Sequence, residues 1–217
     1  MAIDAVRREV LRLGERVGDL LDAAVPAILG GRDAEIEDLR ADEEHIDRHH
    51  AAIVGFIEQV LQSQRAPDIS RDAMNLAEAA DYLEAIADLV DREMIPLHQR
   101  HAERGTETDP QSRERMHALS EAVRHEFRRA LQAVGEGNLA LAASVIDAKS
   151  HVRGFERTVI DANSDDSPRL IRPSALEREL AESLRRSYSL IRRFVRVGTG
   201  LHRAGVEDAT ARDSLLP

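Results

Sequence analysis

Residues 13–31, LGERVGDLLDAAVPAILGG, return 106 positions later as residues 119–137, LSEAVRHEFRRALQAVGEG. The agreement lies in spacing and apolarity. Leu13 falls on Leu119, Val17 on Val123, Ala24 on Ala130, Ala27 on Ala133 and Gly31 on Gly137. Carried further along the chain, the same offset sets Ile46 over Val152 and Ile53 over Val159. Self-similarity at a fixed offset marks an internal duplication. The chain therefore reads as two similar halves sharing one body.

Each half reads as three helices, because apolar residues recur at alternating three- and four-residue steps, the spacing of one buried helical face. Val6, Val10, Leu13, Val17, Leu21, Ala24 and Ile28 do so from about Ile3 to Leu29, and Gly30-Gly31 closes that helix, with Pro26 disturbing only its last turn. Asp33 has the chemistry of an N-cap for a second helix, which carries Ile36, Leu39, Ile46, Ile53, Ile57 and Val60 to about Gln64. Ala66-Pro67-Asp68 breaks it. A third helix from about Ser70 to Arg104 turns Leu76, Ala80, Leu83, Ala87, Val90, Met94 and Leu97 inward, and Pro96 is expected to bend its final third.

A polar linker from Gly105 to Asp109 leads to Pro110, which suits the first position of a fourth helix ending near Val134. The fifth is expected as one rod from about Leu139 to Ala162. The sixth opens on a capping box, Ser174 with Glu177, and carries Leu180, Leu184, Tyr188, Ile191, Val195 and Leu201. The expectation is an all-α chain of six long antiparallel helices forming two tandem three-helix bundles, residues 1–104 and 105–204, with a disordered polar tail at 205–217.

Charge and composition narrow the function. The net charge of −10 is unevenly shared: residues 1–104 hold 23 acids against 12 bases, residues 105–217 hold 17 against 18. Overall acidity argues against a nucleic-acid partner. The absence of Cys removes disulfides and thiolate metal ligands. No apolar run approaches the roughly 20 residues that span a bilayer, and no basic-then-apolar leader opens the chain, so a cytoplasmic protein is expected. Gly30-Gly31 and Gly135 to Gly137 are helix-ending turns, not phosphate cradles. With no nucleophile–base constellation either, no enzyme is expected.

The two copies differ most in the second helix of each. Its inward stripe in the first copy reads Ile36, Leu39, Glu43, Ile46, His50, Ile53, Ile57, so two polar side chains occupy positions where the period calls for apolar ones. Asp47 lies one turn from Glu43 and three residues before His50, which lets all three converge on one face. In the third helix Asp81, Glu84, Asp88 and Asp91 run beside the core positions. Two facing lines of acids repel unless a cation lies between them. Carboxylates with an imidazole suit iron, manganese, zinc or magnesium. An ion-pair network through Arg48 or Arg92, or through Lys149, Arg153 and Arg193 of the second copy, would answer the same need. At the 106-residue offset Glu43 falls on Lys149, Asp47 on Arg153 and His50 on Glu156, so the second copy has lost the acids. His45, His49, His98, His101 and His125 read as exposed or bundle-edge residues, and His151, which overlies His45, suggests a packing role for both. Arg185, Arg186, Arg192, Arg193 and Arg196 read as a solvated basic face.

The duplicated layout, with Glu43-Glu44-His45-Ile46-Asp47 on the second helix and Glu84-Ala85-Ile86-Ala87-Asp88 on the third, resembles the PhoU-like proteins over nearly the whole chain. That family carries a Glu/Asp-xxx-Asp motif on both helices. Ile46 to Ile53, and the run from Asp88-Leu89-Val90 to Ile95-Pro96-Leu97, look like the PhoU-like cytoplasmic domain of sodium/phosphate cotransporters. The resemblance implies a regulator or accessory domain of phosphate transport, docking on a phosphate transporter at the cytoplasmic membrane face, either peripheral to it or fused with it. A second copy of the chain is a further expected partner. It also implies one metal site in the first repeat, joining helices through Glu43, Asp47, His50, Glu84 and Asp88 and taking iron, zinc or manganese. The second-copy motifs have become Lys149/Arg153 and Ser189/Arg193. Two other classes stay open: a carboxylate-bridged metal protein of the ferritin-like kind, for which Asp47-x-x-His50 would be one ligand pair, and a metal-free helical adaptor.

Overall fold

The computed structural model describes residues 2–63, 67–104, 109–160 and 175–201. Helix α1 spans Ala2–Gly30, α2 Asp33–Ser63 and α3 Pro67–Leu89; a π-helical turn, Val90–Met94, joins α3 to α4, Ile95–Arg104. The second half holds α5 (Pro110–Glu136), α6 (Leu139–Asp147), α7 (Lys149–Ile160) and α8 (Ala175–Thr199). Taking α3 with α4 and α6 with α7, the described residues form six helical rods and no strand.

The four rods that begin and end the halves, α1, α3, α5 and α8, form a closed ring: α1 packs on α3, α3 on α8, α8 on α5 and α5 on α1. Helix α2 lies in the groove between α1 and α3, and α6–α7 lies in the matching groove between α5 and α8. The apolar stripes explain the arrangement. All seven stripe positions of α1, from Val6 to Ile28, are buried, as are Ile36, Leu39, Ile46, Ile53, Ile57 and Val60 of α2 and Leu76 to Leu97 along α3 and α4. They join Leu119, Val123, Phe127, Leu180, Leu184 and Ile191 in one continuous core. Within it the Phe127 and Phe194 rings meet at 6.4 Å between centroids.

Helix ends follow local chemistry, with some departures from the sequence expectation. At α2 the N-cap place falls to Arg32, whose carbonyl accepts from Glu35 N (2.9 Å), while Glu35 Oε2 reaches back to Arg32 N (3.0 Å). Asp33 is instead the first helical residue. Helix α3 begins at Pro67, three residues before the expected Ser70, because a proline at the first helical position forfeits no intrahelical hydrogen bond. Asp109 caps α5 by accepting from Gln111 N and Ser112 N, and Gly137, at φ 64°, ends it.

Two expected single rods are interrupted. Pro96 has no N–H to donate, and its ring crowds the carbonyl four residues back; the chain answers with the π turn just before it, where Ile95 N–H bonds Val90 O five residues back. The fifth rod breaks at Ala148, whose ψ of 2° leaves the helix. In an unbroken helix the carbonyls of Val145 and Ile146 would serve Lys149 and Ser150. Here they accept from Tyr188 Oη (2.7 Å) and Arg192 Nε (3.1 Å) of α8. The break is thus satisfied by tertiary partners.

The expected Ser174 cap, the linker 105–108 and the tail 205–217 lie outside the described residues.

Candidate functional site

Helices α2 and α3 bring the acidic line together as the spacing implied. Glu43 is only 9% exposed, so its carboxyl is held at the edge of the core. Burial pushes its pKa up to about 7, helped by Asp47, Asp91 and Asp88 and opposed by Arg92. Glu84, half-buried, is raised by the same loss of water and then by Asp88, with His50 pulling the other way. Asp88 is raised by burial too, against the downward pull of Arg92. Three carboxylates on two facing helices are therefore each held less ionised than in water, the sign of a negatively charged, partly dry cleft.

The cations that answer these acids are local. Arg92 Nη1 stands 3.0 Å from Asp88 Oδ2, one turn away on the same rod. Asp88 Oδ1 is buried and has no hydrogen-bond partner among the described residues. His50 turns to α3: its Nε2 lies 2.9 Å from Asp81 Oδ1. Asp47 is exposed on α2. Arg48 does not enter the cleft, its Nε bonding Glu44 O at 3.1 Å instead.

Of Lys149, Arg153 and Arg193, only Arg193 lines a described cleft together with one of these acids. It shares with Asp88 a cleft of about 440 Å³ between α3 and α8, lined also by Arg92, Glu93, Arg186 and Ser189. Lys149 and Arg153 are not at the acids; they line a separate cleft beside Arg157 and Arg192. The donor set, carboxylate oxygens and one imidazole, fits a hard or borderline divalent cation. Among the described residues, however, no three His, Asp or Glu side chains stand close enough to hold a metal as they are placed.

His125 is exposed, and three other histidines are edge residues with partners. His49 Nε2 lies 3.2 Å from Glu9 Oε2, His98 Nδ1 3.3 Å from Ile28 O, and the exposed His151 stacks edge-on against Phe155 at 5.1 Å. The side chain of His101 lies outside the described residues. Three of the five α8 arginines expected to form a solvated basic face are held by partners, while Arg193 is exposed. Arg185 pairs with Glu156 at 3.1 Å, Arg186 with Glu93 at 2.5 Å, and Arg192 holds Ile146 O. Sequence reasoning missed Arg157 as a companion of Lys149 and Arg153. The 106-residue offset, which sets Ala51 under it, was the available signal.

These features define a class: all-helical proteins built by duplication of a three-helix unit, with charged clefts between the second and third helices. Residues 10–92 match the family model described as the PhoU domain. Over those residues the chain is similar to the PhoU domain. Two solved structures share its fold. PhoU from Pseudomonas aeruginosa superposes with a TM-score of 0.78 at 20% identity, over 94% of this chain and 98% of that one. The phosphate transport system regulatory protein PhoU from Streptococcus pneumoniae gives a TM-score of 0.75 at 15% identity, over 92% and 94%. No curated protein matches the chain. No helix among the described residues is long and apolar enough to cross a membrane.

Proposed function

We propose that this chain is a non-enzymatic regulator of phosphate transport that acts by docking on a membrane transporter at its cytoplasmic face. The observation that carries this reading is the PhoU domain over residues 10–92, and the regulatory protein from S. pneumoniae with the same fold adds to it. The architecture suits a docking role, because a ring of four helices flanked by two more offers long charged faces and buries the apolar residues of both halves in one core. A transporter of the sodium/phosphate cotransporter kind is the partner we infer, with a second copy of the chain as a further one. Deleting the gene should alter phosphate uptake by cells, and crosslinking in membranes should recover the chain with a phosphate transporter. Unchanged uptake together with no such crosslink would sink the proposal.

A metal is the second part of the reading, and one observation favours it: the buried Asp88 Oδ1 has no partner among the described residues, in a cleft where Glu43 is pushed up to about 7. Iron, zinc or manganese bound by Glu43, Asp47, His50, Glu84 and Asp88 would neutralise that cleft and tie α2 to α3, once His50 leaves Asp81 and these side chains turn toward one another. Elemental analysis of the purified protein beside a Glu84→Ala/Asp88→Ala variant tests this. Stoichiometric metal lost in the variant supports the site, and metal absent from both leaves a helical adaptor.

A further inference from the structure

We propose that the cleft between α6–α7 and α8 is an anion site that holds a soluble oligophosphate. It is the counterpart, in the second half, of the acidic cleft in the first. Four cations line it, Lys149, Arg153, Arg157 and Arg192, against the single carboxylate of Asp147; Ile146 and Ser150 complete the wall. Three of the four descend from the duplicated positions of Glu43, Asp47 and Ala51. The sign of the site has therefore been reversed at a fixed place in the fold.

Local structure shapes the cleft. Because the rod breaks at Ala148, the last residues of α6 and the first turn of α7 face the same space, and Lys149 opens α7. The next two cations follow from it at four-residue steps, one per turn, so their side chains share a helix face. Arg192 closes the far side. Its Nε is fixed on Ile146 O at 3.1 Å and its guanidinium lies over the Tyr188 ring at 6.0 Å, so this cation is preorganised. No described carboxylate forms an ion pair with Lys149, Arg153, Arg157 or Arg192, whereas Arg185 and Arg186, about two turns earlier on α8, are both paired.

The chemistry selects the ligand. Guanidinium forks match phosphate oxygens two at a time, and a lysine ammonium adds a point charge. A net of three positive charges around about 410 Å³ has more charge and more room than one orthophosphate uses. No aromatic face lines the cleft for a base to stack on, since Tyr188 is 3% exposed and covered by Arg192. A linear chain of phosphates is the anion that fits. The cleft would bind it whether or not the chain regulates phosphate uptake.

Calorimetric titration of the full chain with sodium tripolyphosphate at low ionic strength tests the assignment. One saturable site is expected, weakened at least about tenfold in Arg153→Gln/Arg157→Gln and nearly unchanged in Arg8→Gln/Arg113→Gln, which removes two exposed arginines elsewhere. All four altered side chains are exposed, and circular dichroism should give the same melting curve for each protein. Lys149→Gln supplies an independent variant with a smaller loss in the same direction. No saturable heat, or equal weakening by both double variants, overturns the site. Flotation with phosphatidylglycerol vesicles that depends on Arg153 and Arg157, without any tripolyphosphate titration, overturns the soluble ligand and assigns the cleft to lipid headgroups.

Discussion

At Glu43 burial and three neighbouring carboxylates act in the same direction, so ionising this side chain costs the folded state more than the unfolded one. Its folded pKa of about 7 lies above the ordinary value of 4.5. The penalty is therefore absent below that ordinary value, grows as pH rises, and is complete above about 7. Glu43→Gln should leave the melting temperature nearly unchanged at pH 4 and raise it at pH 8 in metal-free protein, by the equivalent of about 1–2 kcal/mol. Thermal melts across that range check it; a variant less stable than the parent at pH 8 without added metal would contradict the account. If metal occupies the cleft, the same substitution should lower stability in its presence, because a ligand is lost. Asp88 is raised too, burial outweighing the pull of Arg92, so the same sign holds: Asp88→Asn gives up the pairing with the largely exposed Arg92 together with the larger burial penalty, and a small gain at pH 8, under about 1 kcal/mol, is expected. Glu43 was legible in the sequence because an acid stands where the 3.6-residue period demands an apolar side chain. The turn of His50 toward Asp81 was not, since it is a side-chain choice made between two helices.

At the scale of elements, two glycines separate tight packing from free surface. A Cβ on Gly198 of α8 would stand 2.8 Å from Val134 Cγ2, and valine, branched at Cβ, can scarcely rotate away. Gly55 of α2 has nothing within 4 Å of that position. Gly198→Ala should destabilise by about 1–2 kcal/mol through overpacking between α8 and α5, while Gly55→Ala should stabilise by about 0.5–1 kcal/mol through helix propensity. Urea unfolding of the two variants settles the signs, and a stabilising Gly198→Ala would refute the close contact. The rods themselves were readable because their apolar stripes are long and regular. The two interruptions were not. Val90, Met94 and Leu97 keep three- and four-residue steps whether the backbone between them is α or π. Asp147-Ala148-Lys149 holds neither Gly nor Pro, and what stabilises its break, Tyr188 and Arg192, lies some 40 residues away. The pair Gly31 and Gly137 shows one aligned glycine serving two needs: φ is 64° at Gly137, whereas at Gly31 a Cβ would run into the backbone carbonyl oxygen of Ala27.

Across the whole molecule, the halves are joined by core and by charge. Arg124 of α5 pairs with Asp22 of α1, Arg100 of α4 with Glu179 of α8 at 2.9 Å, and Arg186 and Ser183 of α8 both hold Glu93 of the π turn. Residues 1–104 expressed alone would expose the faces of α1 and α3 that α5 and α8 cover, so that fragment should show no cooperative melt, while the full chain melts in one transition. Two separated transitions in the full chain would show that the halves fold independently. The duplication made this architecture visible in the sequence, but the ring of four helices came only with the packing, because periodicity shows which face is buried and not against what. The reversal of sign between the two clefts has one more consequence. With 23 acids against 12 bases in one half and near balance in the other, the chain is a permanent electric dipole. Near an anionic bilayer the acidic half is pushed away, within the roughly 8 Å over which charge is felt at physiological salt. The molecule would rotate before it touches and arrive with its second half foremost.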